Sequence, residues 1–89
     1  MDKDSRNKAH NSISRAERAR MIMQDEMLQE ALTSIKGEIY AKFQRTKYDE
    51  TDQRDELWRK TQAINAFESY LERVMTDGLL AQETLKLNQ

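Results

Sequence analysis

Proline is absent from this chain of 89 residues, and glycine occurs only at Gly37 and Gly78. Almost nothing therefore interrupts a helix, and an all-α fold is the expectation. Cysteine is also absent, which removes disulfides, thiolate catalysis and cysteine-based metal sites together. His10 is the one histidine, so a single chain has no histidine relay and no multi-histidine metal site. There is no glycine-rich phosphate loop, no nucleophile elbow and no HExxH pair. The expectation is a non-enzymatic protein with no cofactor and no metal. No apolar run approaches the length that spans a bilayer, and no charged-then-apolar leader is seen, so we expect a soluble intracellular protein with no membrane partner.

Fifteen Lys and Arg face sixteen Asp and Glu, and this balance gives no global field toward nucleic acid. The sign is uneven along the chain. Residues 1–20 carry Lys3, Arg6, Lys8, Arg15, Arg18 and Arg20 against Asp2, Asp4 and Glu17. Lys8, Arg15 and Arg18 are the candidate nucleic-acid contacts, opposed by the neighbouring acids and by the lack of a compact helix-turn-helix or a ribbon. A solubilising tail is the plainer reading of the same residues.

Residues 1–11 are polar and aperiodic and read as a mobile arm, with a single domain over 12–89. Ser14 with Glu17 fits a capping box, and an amphipathic pattern runs over 14–46 with a possible break near Asp25, which can cap a fresh start. Met21, Leu28, Leu32, Ile35, Ile39 and Phe43 form its apolar arc. Tyr48–Asp52 lacks helical periodicity, and Thr51 or Asp52 can cap a second helix over 53–76. Leu57, Ile64, Phe67, Leu71, Val74 and Met75 are its predicted core, Asp77–Gly78 its stop signal, and residues 79–87, with Leu79, Leu80, Leu85 and Leu87, a short amphipathic segment folded back on the hairpin or onto a partner. So short a connection brings the second helix back antiparallel, as a hairpin of two long helices.

A core of this size contributes only about 3–5 kcal/mol, so self-association is a physical expectation. The second helix carries an apolar arc of roughly 180°, wider than one neighbour covers. On the first helix Met23, Met27, Ser34, Gly37 and Ala41 flank or back the core and form a methionine and small-residue strip. Gly37 points away from Ile35 and Ile39, and reads either as a tolerated surface glycine or as a close contact between subunits. Trp58, among Arg54, Arg59 and Lys60, is open to three readings: packing over the hairpin end, a protein-interface anchor, or a base-stacking platform. Tyr70 on the flank of the arc joins the candidate protein interface. Lys60 and Glu68 fall inside the arc and read as snorkelling or paired residues. The acids Asp49, Glu50, Asp52, Asp55 and Glu56 lack the spacing and central glycine of an EF-hand, and read as solvated capping groups.

The stretch Leu28-Gln29-Glu30-Ala31, then Ile35, Tyr40, Thr46, Asp52, the run Arg54-Asp55-Glu56-Leu57-Trp58, and Leu71 with Gly78-Leu79-Leu80-Ala81 resembles a group of small helical proteins of tailed bacteriophages and prophages. The resemblance spans about residues 25–82 and leaves the N-terminal arm outside it. It implies a phage origin and a place among factors of head or virion assembly, in the host cytoplasm or the virion. The expected protein is thus a self-associating helical module that binds a phage or host protein. A regulator or inhibitor of a host protein is the alternative, and a nucleic-acid packaging accessory is a third reading.

Overall fold

The computed structural model describes residues 1–88, so Gln89, the end of the expected domain, lies outside the described residues. The chain is all-helical: α1 spans Lys3–Met23, α2 Glu26–Arg45 and α3 Thr51–Leu87. Its overall extents are 60 × 25 × 16 Å. The long dimension is that of α3, whose 37 residues rise about 55 Å at about 1.5 Å each.

Helix α1 starts eleven residues before the expected Ser14 cap. Asp2 is the N-cap, and its carboxylate accepts from the Ser5 amide at 2.7 Å. That bond holds the Asp2 carboxyl below its ordinary value. Residues 3–11 are therefore helix rather than a mobile arm. Their polarity misled the reading, because Ala9 alone of them is buried.

The break at Asp25 is present. Gln24 and Asp25 donate backbone amides to Arg20 and Ile22, the Gln29 side chain donates to the Met23 carbonyl, and Asp25 Oδ1 accepts from the Leu28 amide at 2.9 Å. The ends of both helices are satisfied across two residues, as a capped break requires.

Helix α3 starts at Thr51 without a side-chain cap and runs on to Leu87, so residues 77–78 do not stop it. Gly78 has no positive φ and lies buried in mid-helix. The expected second helix and its folded-back segment are one helix. What Gly78 provides is proximity: a methyl built on it would collide with the Ala16 methyl and sit 3.1 Å from the Ser12 carbonyl oxygen. Helix α1 approaches α3 there as closely as two backbones with small side chains permit.

Among the less exposed positions of α3, Arg54, Leu57, Thr61, Ile64, Glu68, Leu71, Met75 and Gly78 alternate steps of three and four and resume at Leu85, with Val74 and Ala81 beside this line. This is a coiled-coil period, with apolar or small residues at every second position. On α1 the matching seam is mostly small, Ala9, Ser12, Ala16 and Ala19, ending at Met23, with the half-buried Ile13 at its edge. Continued without a break it would turn Glu26, Glu30 and Gly37 inward. The break shifts the phase by two residues, so that Leu28, Leu32 and Ile39 take the inner positions of α2.

Contacts to α3 run in reverse chain order. Ser12 and Ala16 meet Gly78, Ala19 and Ile22 share a groove with Leu71, Lys36 pairs with Glu68 at 2.7 Å, and the Arg54 guanidinium lies 4.4 Å from the centroid of the Phe43 ring. No helix among the described residues is long and apolar enough to cross a membrane.

Candidate interaction surfaces

The buried apolar core is confined to Ala9, Ala19, Leu32, Leu57 and Leu71. Four residues expected there, Met21, Ile35, Phe43 and Phe67, are exposed. Met21 falls off the seam because the phase of α1 differs from that of α2. Phe67 is partly covered, at 43% exposed. The remaining apolar side chains form surfaces.

An aromatic-walled groove runs between α2 and α3. It holds about 410 Å³ and is lined by Lys36, Ile39, Tyr40, Phe43, Leu57, Trp58, Thr61, Ile64 and Asn65. Tyr40 and Trp58 are 66% and 62% exposed. That exposure excludes the reading of Trp58 as a buried lid on the hairpin end. A helix of mixed polarity fits such a groove by inserting apolar anchors between aromatic walls. On the opposite side of the same helix pair the walls are Glu38, Lys42 and Lys60 around Ile35 and Ala63, a more charged setting.

The expected interface residues do not form one patch. Met27, Ser34 and Gly37 lie exposed on α2, with Ala41 half-buried beside them. No atom lies within 4 Å of where a Cβ would stand on Gly37. Met23 is separated from this strip by the break. Trp58 belongs to the α2–α3 groove, whereas Tyr70 lies toward α1, where its hydroxyl accepts from Arg15 at 3.1 Å. Arg73 stands 5.7 Å from the Tyr70 ring centroid.

Arg15 and Arg18 line one groove with Asn11, Tyr70 and Val74, and Lys8 is exposed two helical turns before Arg15. One phosphate-contacting candidate is thus already engaged by a phenol. Asp77 joins Arg15 and Arg73 in the adjoining groove, so the local field is mixed. Lys60 pairs with Glu56 at 3.3 Å and Glu68 with Lys36, so both charged residues of the arc have partners. Among the described residues no three His, Asp or Glu side chains converge as metal ligands would.

Sequence reasoning placed Leu79, Leu80 and Leu87 in a separate segment and missed that they extend the surface of α3. All three project from the last turns of α3 and are largely exposed. The signal was the uninterrupted seam through Gly78 to Leu85, which assigns Leu80 and Leu87 to the outer side. Comparison with known proteins gives no identification: no family model, no curated protein and no solved structure matches this chain.

Proposed function

We propose that this chain is a non-enzymatic, self-associating antiparallel helical hairpin that works by binding protein. The observation that carries the reading is the imbalance between a five-residue apolar core and the large apolar side chains left outside it, among them Tyr40, Trp58, Phe67, Leu79, Leu80 and Leu87. An apolar surface of this extent on so small a chain is a partner surface. The groove between α2 and α3 supplies aromatic walls of the kind that dominate binding energy at interfaces.

Together with the resemblance of residues 25–82 to small phage proteins, this supports a virion structural or assembly factor. A host-directed regulator would use the same surfaces outside the particle. Mass spectrometry of purified virions from a phage encoding the chain tests the assignment. Recovery of the chain at fixed stoichiometry is the expected result, and its absence from particles would transfer the reading to the regulator.

A further inference from the structure

We propose that two copies pair antiparallel along one side of α3, so that the C-terminal leucines of each occupy the Tyr40–Phe43–Trp58 groove of the other. The proposal rests on the self-association reading and gives it a geometry.

Projected at about 100° per residue, Trp58, Gln62, Asn65, Ser69, Thr76, Leu80, Glu83 and Leu87 fall within about 40° of one line along α3. This line is apolar at its two ends and polar in the middle. A parallel pair would set the aromatic ends together and leave the grooves unfilled by leucine. An antiparallel pair with its two-fold axis between residues 72 and 73 sets Trp58 against Leu87 of the other copy, Gln62 against Glu83, Asn65 against Leu80 and Ser69 against Thr76.

Glu72 then faces Arg73 of the other copy, twice across the axis, so the charges at the centre are complementary. Neither Glu72 nor Arg73 has an ion-pair partner within its own chain among the described residues.

The size is adequate. The overlap from 58 to 87 is about 44 Å of helix. Tyr40, Phe43, Trp58, Leu80 and Leu87, each more than a third exposed, hold on the order of 600 Å² of accessible side-chain surface per copy, most of the about 800 Å² a stable interface takes from each partner. Such a pair is isologous and closed, so it stops at two copies.

The absence of cysteine from the chain makes the test direct. Full-length Gln62→Cys and Glu83→Cys are mixed in equal amounts and mildly oxidised, and the products are read by intact mass. The mixed 62–83 disulfide is expected to exceed either homodisulfide at least about tenfold, because positions 62 and 83 lie about 32 Å apart along α3, far beyond the reach of a disulfide.

Predominant 62–62 and 83–83 products would overturn the arrangement in favour of a parallel pair. A dimer by sedimentation that forms none of the three disulfides would overturn this geometry while leaving self-association standing. A monomer would remove both. In parallel, Leu87→Glu should leave helicity unchanged, since Leu87 is 84% exposed, and should raise the dimer dissociation constant at least about tenfold. An unchanged constant would equally overturn the proposal.

Discussion

The two glycines have opposite environments, and substitution should move stability in opposite directions. Gly78→Ala improves helix propensity by about 1 kcal/mol but forces a methyl into Ala16 and the Ser12 carbonyl, both fixed on the backbone of α1. Overpacking of this kind costs about 1–3 kcal/mol, so the net effect should be a lower melting temperature. Gly37→Ala meets open space and should raise stability by up to about 1 kcal/mol. Thermal melts of the two variants followed by circular dichroism check the pair. A gain at position 78 would contradict the close approach, and a loss at 37 would mean that a second subunit covers the Met27–Ala41 strip. The close approach within the chain falls at Gly78, which the sequence reading took for a helix stop. Leu32, Leu57 and Leu71 were legible as core because large apolar residues at helical spacing announce themselves. Ala9 and Ala19 were not, since a seam built of alanine and serine has little hydropathy contrast with its polar surroundings.

Among the elements, the break at Asp25 determines which side of α2 meets α3. Asp25→Ala removes the side-chain acceptor of the Leu28 amide, which should cost about 0.5–2 kcal/mol. Hydrogen exchange should show the loss first at the amides of Glu26, Met27 and Leu28. Unchanged protection there would mean that the cap does not hold the break. This boundary was readable because a cap is a local signal. The ends of α1 and α3 were harder. The segment KDSRNKAHN carries no apolar face, and it is helical through the Asp2 cap and through Ala9 packed on the seam. Asp77–Gly78 has the composition of a helix stop, yet a tertiary contact uses the same glycine for close approach and the helix continues. In each case a long-range contact decided what the local composition left open.

At the scale of the whole molecule, α3 is about 55 Å of helix with neighbours on part of its circumference, and the uncovered part carries aromatic and aliphatic side chains. A single copy buries few of them. The wide apolar arc of α3 was legible from the sequence, whereas its division into an α1 seam, an α2 groove and an outer leucine line depended on the phase shift at the break. The candidate residues were accordingly not separable into groups from the sequence: Trp58 and Tyr70 lie on different sides of α3, and the leucines of the outer line were assigned to a separate segment. The central claim is that the protein completes its core by pairing. Sedimentation velocity of the unmodified chain from low to high micromolar concentration tests it most directly: a species of twice the 10.5 kDa protomer mass, increasing with concentration, is the expected result, and a single 10.5 kDa species at every concentration would contradict the account.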